Sequence, residues 1–505
     1  MALGRTWAVA LTGITGRLVE VEADVGRGLP GVSIVGMPDS AVMQSRERMR
    51  AAAANSGLTW PAGKVVLSLS PASLRKSGAG FDLALAAGAL TASGELPAAG
   101  FEGTLLLGEL ALDGRVRPVA GVLPAVLAAR EAGLARAIVP VENLAEARLV
   151  RGIDSAGVDS LRMLADWSRG VGDLVAQAPP ARGPGVGESR DLAEVHGQED
   201  CRRSVEVAAA GGHALLLRGA PGTGKTMLAR RLPGLLPDLD EHEALEATAI
   251  HSVFGRLAPD DPLLRRPPFV APHHTATAAA LVGGGSGTAR PGAATLAHRG
   301  VLFLDECAEF PGRVLDALRT PLEEGEVRVA RRDGVAVFPA RFQLVLAAND
   351  CPCGSPRPAD CGCTPDERRR YGRSLTGPLR DRVDISARTL PVGSSLLAEG
   401  EGEDTAAVRG RVAAARAAAA DRWADCPGAG PARTNADVPG RVLRGEHRLD
   451  RGALRPLDRA LAHGILSPRG VDRCLRLAWT VADLAGAGSP DGDHVAEALV
   501  LRGED

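Results

Sequence analysis

Lysine is almost absent from this 505-residue chain, because only Lys64, Lys76 and Lys225 occur among its 59 lysine and arginine residues. An arginine-biased chain keeps a lysine chiefly where a compact, rotatable ammonium is needed and a planar guanidinium would not serve. An overall positive charge is missing as well, since the formal net charge is −2. Any contact with nucleic acid must therefore be made by a local patch.

Long hydrophobic runs are also missing. No apolar stretch approaches the roughly 18 residues that a bilayer-spanning helix needs. Polar residues interrupt the N-terminal stretch MALGRTWAVALTGITGR before a secretory core could form. We therefore expect a cytoplasmic protein with reduced thiols rather than disulfides.

Length and linker composition divide the chain into three predicted parts. At 505 residues it is too long for one hydrophobic core. Proline, glycine and small polar residues dominate 178–189, and an acidic stretch containing glycine runs from Gly393 to Asp404. We predict a mixed α/β domain over 1–177, a linker over 178–189, a domain with a parallel sheet over 190–395, and a helical domain over 405–505.

The segment GAPGTGKT predicts a phosphate-binding loop, because a strand (ALLLR) precedes it and a helix (TMLARRL) follows it. Its glycines let backbone N–H groups turn towards phosphates, although a chance glycine-rich turn is the alternative. We expect Lys225 to reach the β and γ phosphates of ATP and the Thr226 hydroxyl to ligate Mg²⁺. The predicted nucleotide-binding residues are Gly219, Ala220, Pro221, Gly222, Thr223, Gly224, Lys225 and Thr226.

Polar residues end the next two strong strands. Asp305 and Glu306 follow VLFL, in the arrangement where an aspartate holds Mg²⁺ and the next glutamate polarises an attacking water. Such a pair can also cap a helix, but the phosphate loop upstream favours catalysis. Asn349 ends FQLVLAAN and is expected to orient the same water or to sense the γ phosphate.

Long motifs follow one another in order along nearly the whole chain. They are GLPGVSIVGMPDSAVMQSRERMRAA, AAAGGHALLLRGAPGTGKTMLARRLPGLLP, FVAPHHTATAAALVGGGS, ARPGAATLAHRGVLFLDECAEF, the CPCG cluster and SPRGVDRCLRLAWTVADL. In these motifs the chain resembles the ComM/YifB family, relatives of the magnesium chelatase ATPase subunit within the AAA+ class. The resemblance implies an N-terminal domain similar to the Lon protease (S5-like) fold, a AAA+ P-loop α/β domain and a helical lid, assembled as a homo-hexameric ring.

A Lon peptidase needs a serine nucleophile activated by a lysine, and the resemblance locates neither. The serine position falls among Ala79, Gly80 and Phe81, and the lysine position falls at Leu123 or Ala125. We therefore predict a binding or assembly domain without peptidase activity. Lys64 and Lys76 are expected to be exposed and solvated, with DNA contact as the alternative.

The resemblance also implies two catalytic arginines. In AAA+ rings a neighbouring subunit supplies an arginine finger, and the family pattern falls on GPLRDRVD, which makes Arg382 the candidate beside a nearby Arg380. In the lid, Ser467 and Pro468 predict a helix start. Arg469 behind them corresponds to the arginine that senses nucleotide, and a structural arginine is the alternative.

An Asp-Gly turn in EVRVARRDGVAV predicts a β-hairpin with Arg331 and Arg332 beside its tip. In related rings a hairpin at this point projects towards the pore, where six such tips would attract a phosphate backbone. A solvated surface hairpin is the alternative. The role of His273 and His274 in APHHT stays open between pore contact and packing; a shared metal is not expected, because adjacent side chains on a strand point apart.

Four of the eight cysteines crowd behind Asn349 in the stretch NDCPCGSPRPADCGC. They are Cys351, Cys353, Cys361 and Cys363. Their C-x-C pairs differ from the C-x2-C of common zinc knuckles, and a structural Zn²⁺ that fixes the loop leaving Asn349 is the favoured interpretation over free thiols or a redox role. The other four are expected to be packing residues: Cys201, Cys307, Cys426 and Cys474.

These features predict an ATP-driven hexameric motor that acts on single-stranded or branched DNA. The resemblance implies a branch-migration translocase or helicase in recombination or natural transformation. The alternative is a AAA+ protein-remodelling or metal-chelatase-like ATPase with a protein client, although no porphyrin site is visible. An assembly platform that uses its ATPase as a switch is the third interpretation.

Overall fold

The computed structural model describes residues 3–177, 191–258, 261–284, 290–331, 334–355, 360–375, 379, 382–391, 402–464 and 466–503. The predicted linker 178–189, Arg332 and Arg380 lie outside the described residues. Of Arg331 and Arg469 only the backbone is described.

The N-terminal part is built on a seven-stranded mixed sheet in the order β3-β4-β2-β1-β5-β8-β9, with a separate two-stranded β6-β7 ladder. Alternation along β2 buries Val19, Val21 and Ala23 on one face, as the two-residue period of a strand requires. The strands are β1 (Gly4–Thr12), β2 (Thr15–Gly26), β3 (Gly31–Val35), β4 (Lys64–Ser70), β5 (Thr104–Leu106), β6 (Glu109–Leu110), β7 (Val116–Arg117), β8 (Arg136–Pro140) and β9 (Asp154–Val158).

Five helices cover this sheet. They are α1 (Ser40–Asn55), α2 (Asp82–Ala92), α3 (Val122–Glu131), α4 (Leu144–Ala147) and α5 (Leu161–Ser168). The helix over residues 82–92 is made almost entirely of small and aliphatic residues. Every residue of α2 is buried. The helix approaches β1 so closely that a side chain at Gly4 would come within 2.2 Å of the Gly88 carbonyl oxygen, so only glycine fits there.

The middle part contains the parallel sheet that the sequence predicts, in the order β11-β12-β15-β10-β16. All residues of β12 and β15 are buried, as expected for parallel strands covered on both faces. The strands are β10 (Leu215–Arg218), β11 (Phe269–Val270), β12 (Val301–Leu304), β13 (Glu326–Arg331), β14 (Gly334–Pro339), β15 (Gln343–Ala348) and β16 (Ile385–Arg388). Its helices are α6 (Glu199–Gly211), α7 (Lys225–Ala229), α8 (Leu232–Leu235), α9 (Glu241–Val253), α10 (Ala278–Val282), α11 (Ala293–Leu296), α12 (Gly312–Asp316), α13 (Arg319–Glu324) and α14 (Pro365–Leu375).

The C-terminal part is helical, as predicted, and shares one hydrophobic core with α6 and β10. Trp423 and Trp479 pack edge to face with ring centroids 5.7 Å apart, and the Arg422 guanidinium lies over Trp479. The helices are α15 (Thr405–Ala424), α16 (Gly440–Arg444), α17 (Arg455–Ala462), α18 (Pro468–Leu484) and α19 (Gly492–Arg502). Through this shared core the helical part packs against the strand that precedes the predicted phosphate loop.

The N-terminal part docks on the middle part through α3 and α9. The Gly121 N–H donates to the Ser252 carbonyl oxygen at 3.0 Å. The Glu146 carboxylate accepts the Leu123 N–H at 2.7 Å and the Ser252 hydroxyl. Burial raises the pKa of Glu146. Ile14 packs against the cluster that includes Phe338, so the docked domain also reaches the base of the β13–β14 hairpin.

Lys76 corrects one expectation from the sequence. It is fully buried, and its ammonium donates to the carbonyl oxygens of Gly36 and Leu69, each at 2.9 Å, and of Pro71. Burial lowers the pKa of Lys76. A compact ammonium can reach three carbonyls that converge in this way, whereas a planar guanidinium cannot. Lys64 is exposed, as expected.

Two further expectations can be compared with the fold. Cys201, Cys307, Cys426 and Cys474 are all buried, which confirms their packing role. In the part of the chain that the structure describes, no helix is long and apolar enough to cross a membrane.

Candidate nucleotide site

The predicted phosphate loop leaves the carboxyl end of β10, which lies between β15 and β16. Gly219 must be glycine, because a Cβ there would lie 2.2 Å from the Thr389 hydroxyl oxygen. Gly224 caps α7 with a φ of 93°, a left-handed conformation that favours glycine. Lys225 and Thr226 therefore begin a helix at the carboxyl edge of the sheet, where β12 and β15 also end.

Lys225 is buried beside Asn349. Its ammonium donates to the carbonyl oxygens of Gly219 and Ala220, both at 2.8 Å, and to Asn349 Oδ1 at 3.1 Å. Burial lowers the pKa of Lys225, while nearby carboxylates act in the opposite direction. Lys225 and Asn349, which the sequence predicts from separate motifs, thus share a hydrogen bond.

Thr226 and Asp305, the two predicted magnesium ligands, also meet. The Thr226 hydroxyl donates to Asp305 Oδ2 at 2.7 Å, and the Glu306 N–H donates to Asp305 Oδ1 at 3.0 Å. A hydroxyl and a carboxylate next to a phosphate loop are the oxygen donors that Mg²⁺ prefers when it binds together with a nucleotide. These side chains fit the ion that the sequence predicts.

Glu306 is held in a left-handed backbone conformation with a φ of 50°, which is uncommon for a residue with a side chain. Its side chain is exposed, and Oε2 lies 3.1 Å from His274 Nδ1. The sequence did not reveal this contact. A strained backbone that aims one carboxylate is typical of functional sites.

His273 and His274 differ from the expectation that their side chains point apart. They occupy a turn after β11, not a strand, and their rings lie side by side with centroids 4.1 Å apart. His273 Nδ1 lies 2.9 Å from the Thr275 hydroxyl. The contact between His274 and Glu306 could have been expected only from chain order, since the histidines follow β11. That strand lies beside β12, and Asp305 and Glu306 follow β12.

Residues in and after β16, which the sequence did not single out, contact the phosphate loop and its neighbours. The Thr389 hydroxyl lies 2.6 Å from the Thr223 hydroxyl and donates to the Arg218 carbonyl oxygen at 3.1 Å. Asp350 pairs with Arg388 at 3.1 Å on the same edge. These contacts join β16 to the loop and to the residue after Asn349.

The two predicted arginines lie on other elements. Arg382 forms an ion pair with Glu323 of α13 in the same chain. Arg469 is the second residue of α18, whose first turn is capped by the Ser467 hydroxyl accepting the Gly470 N–H at 3.2 Å. The predicted helix start is thus confirmed, and both arginine roles stay predictions.

The predicted hairpin is present as the β13–β14 ladder, in which Arg331 pairs with Gly334. Arg328, on the same strand, has an exposed side chain, and its guanidinium donates to Glu326 at 2.7 Å. Any DNA contact by Arg331 and Arg332 stays a prediction.

The clustered cysteines converge at the end of β15. The four sulfur atoms lie within 4.8 Å of one another and could hold a metal ion. Contact with the Cys351 thiol lowers the pKa of the Cys353 thiol to about 6. Burial raises the pKa of Cys351, and contact with Cys353 raises that of Cys363.

Comparison with known proteins identifies family models and relatives that match this chain over nearly its whole length. Three family models match: magnesium chelatase, subunit ChlI, over residues 191–395; subunit ChlI of Mg-chelatase over 21–143; and magnesium chelatase, subunit ChlI C-terminal, over 402–502. An uncharacterized protein of Mycobacterium tuberculosis is 56% identical over 99% of both chains. YifB of Escherichia coli is 38% identical over 100% of this chain and 98% of its own. The competence protein ComM of Haemophilus influenzae is 37% identical over 99% of this chain and 98% of its own.

Proposed function

Because the chain belongs to the ComM/YifB family of magnesium chelatase-like AAA+ proteins, we propose that it is an ATP-driven ring motor that moves branch points in DNA. Family membership implies ATPase activity with ATP and Mg²⁺ as cofactors. The observation that supports this most directly is the convergence of Lys225, Thr226, Asp305 and Asn349 at one edge of the sheet.

The proposed reaction is hydrolysis of the bond between the β and γ phosphates. Lys225 neutralises phosphate charge, and Thr226 and Asp305 would hold Mg²⁺, which would offset the negative charge of the phosphate oxygens. Glu306 accepts a proton as a water oxygen attacks the γ phosphorus, and the bond to the departing ADP oxygen breaks. Asn349 orients the water, and Arg382 from a neighbouring copy in a hexameric ring offsets the charge that develops. Arg469 reports the nucleotide state to the helical lid.

The DNA part of the proposal rests on the β13–β14 hairpin and on the name of one relative. The hairpin lies in the chain between β12, which precedes Asp305, and β15, which precedes Asn349, so it is connected to both strands of the ATP site. The Haemophilus influenzae relative is named a competence protein. We infer that the tips with Arg331 and Arg332 follow a phosphate backbone during recombination or natural transformation in the cytoplasm.

The N-terminal part is proposed to have the Lon-like fold without its chemistry. The 79–81 segment forms a short turn before α2, and Leu123 and Ala125 are buried in α3. No serine or lysine occupies these positions. We infer a binding or assembly role, which the docking contacts at Ser252 support. Turnover of casein that is lost when a serine of this domain is changed would contradict this inference.

A second candidate is a AAA+ remodelling or chelatase-like ATPase with a protein client. The match over 191–395 to a family model described as a magnesium chelatase subunit favours it. The two candidates differ in what stimulates hydrolysis.

The test measures ATP hydrolysis by the purified chain alone and with single-stranded, duplex or four-way-junction DNA. Glu306→Gln should abolish hydrolysis while nucleotide still binds, because the phosphate loop is untouched. The Arg331→Ala/Arg332→Ala variant should lose stimulation by DNA but keep the basal rate. Arg328→Ala is the matched control, since it removes a guanidinium from the same strand away from the tip. A rate indifferent to every DNA would refute the DNA motor and favour the protein client.

A further inference from the structure

We propose that Cys351, Cys353, Cys361 and Cys363 bind one structural Zn²⁺. We further propose that this metal centre fixes the position of Asn349 relative to the phosphate loop. The metal site stands on its own geometry, while its effect on hydrolysis rests on the proposed ATPase function. The centre would make metal loading a condition for an active ATP site.

The sulfur positions suit a single tetrahedral ion. Cys351 Sγ lies 3.2 Å from Cys353 Sγ and 3.6 Å from Cys361 Sγ, and Cys353 Sγ lies 3.6 Å from Cys361 Sγ. Four thiolates at 2.3 Å from Zn²⁺ would be about 3.8 Å apart in a regular tetrahedron. These spacings are too long for disulfides, whose sulfurs are about 2.05 Å apart. An iron–sulfur cluster distributes its thiolates over several irons and needs a wider arrangement.

The first cysteine pair is attached to the ATP site on two sides. Cys351 follows Asn349, the partner of Lys225, by two residues. The Gly354 N–H donates to the Cys351 carbonyl oxygen at 3.1 Å and closes a tight turn. That turn touches the phosphate loop, because a Cβ on Gly354 would lie 2.9 Å from Pro221 Cγ. An ion in the turn would therefore fix its contacts with both Asn349 and Pro221.

The second pair is attached to α14, which also contacts Asn349. The Arg368 guanidinium donates to the Cys363 carbonyl oxygen at 3.1 Å. Tyr371, one turn further along, is largely buried and forms a hydrogen bond with the backbone of Asn349. The helix packs against the 307–309 segment that follows Glu306. A single ion would thus connect Asn349, the phosphate loop and the segment that follows Glu306.

The first measurement is elemental analysis of the full chain, where we expect about one zinc per chain. Replacing the ion with Co²⁺ should give the visible absorption of a tetrahedral thiolate site. Cys361→Ser/Cys363→Ser should lose both signals, whereas Cys201→Ala should keep them, since that buried cysteine lies on α6. A wild-type chain with well below one metal per chain would overturn the proposal.

The second measurement is ATP hydrolysis after chelation and after Zn²⁺ is restored. We expect at least a tenfold loss of kcat that returns with the metal, so that irreversible misfolding is excluded. The losses from Cys361→Ser/Cys363→Ser and Asn349→Ala should not add, because both act on Asn349. Full hydrolysis without metal would overturn the coupling and leave the ATPase function intact. A zinc-loaded chain that never hydrolyses ATP would refute the proposed function and leave the metal site standing.

Discussion

His274 Nδ1 lies 3.1 Å from Glu306 Oε2, and this contact joins the turn after β11 to the residue predicted to activate water. The two residues are far apart in sequence, and they meet because β11 and β12 are parallel neighbours. A general base works only when its carboxylate points at the water, and the left-handed backbone of Glu306 sets only part of that direction. His274 supplies a second constraint.

We expect His274→Ala to lower kcat for ATP about tenfold, equivalent to about 1.4 kcal/mol of activation free energy, with little change in KM. The reason is that a mobile carboxylate spends less time aimed at the water, while the phosphate loop is unaffected. The measurement is steady-state hydrolysis at saturating Mg²⁺ and ATP. His273→Ala is the control, because its ring lies beside that of His274 and its Nδ1 contacts Thr275 rather than Glu306. Equal losses from both variants would show that the turn only packs.

Arg382 provides a test of assembly. If it acts in the neighbouring site, Arg382→Ala should reduce kcat by about 10³-fold or more without weakening nucleotide binding. Mixing Arg382→Ala with Glu306→Gln should then restore part of the activity, because some interfaces of a mixed ring contain an intact Glu306 facing an intact Arg382. Arg162→Ala, which removes an exposed guanidinium paired with Asp166 in the N-terminal part, should leave the rate near that of wild type. Mixtures as inactive as their components would argue against a finger acting between subunits.

Lys76→Met should destabilise the N-terminal part by about 2 kcal/mol or more, because the carbonyls of Gly36, Leu69 and Pro71 lose their shared donor. The exposed Lys64→Met is the matched control and should have almost no effect. Hydrogen exchange of residues 3–177 reports the change. ATP hydrolysis should be preserved in both variants.

The lowered pKa of Lys76 also predicts that folding stability depends on pH. Burial lowers the pKa of Lys76, so the unfolded chain binds this proton more tightly than the folded chain. Folding stability from this group therefore rises as the pH increases from the lowered pKa towards the usual lysine value of about 10. The stability difference between wild type and Lys76→Met should widen over that range. A difference that shrinks with rising pH would contradict the assignment.

Local patterns along the chain were sufficient to predict the phosphate loop, the strands that end in Asp305 and Asn349, the β13–β14 hairpin and the cap at Ser467. Each of these depends on neighbouring residues whose spacing matches the period or turn of one element. The convergence of Lys225 with Asn349 and of Thr226 with Asp305 could also be expected, since parallel strands end at the same edge of a sheet.

Other features depend on which distant segments pack together, and no local spacing encodes that. Thr389 fits behind Gly219 because β16 adjoins β10, and His274 reaches Glu306 because β11 adjoins β12. Lys76 was expected at the surface, but its ammonium is enclosed by the carbonyls of Leu69 and Pro71 and by that of the distant Gly36. The amino-acid sequence alone established which residue types are present and what chemistry they can perform. Tertiary packing decided which side chains contact one another, because burial and hydrogen bonding between distant residues exist only once the sheets have formed.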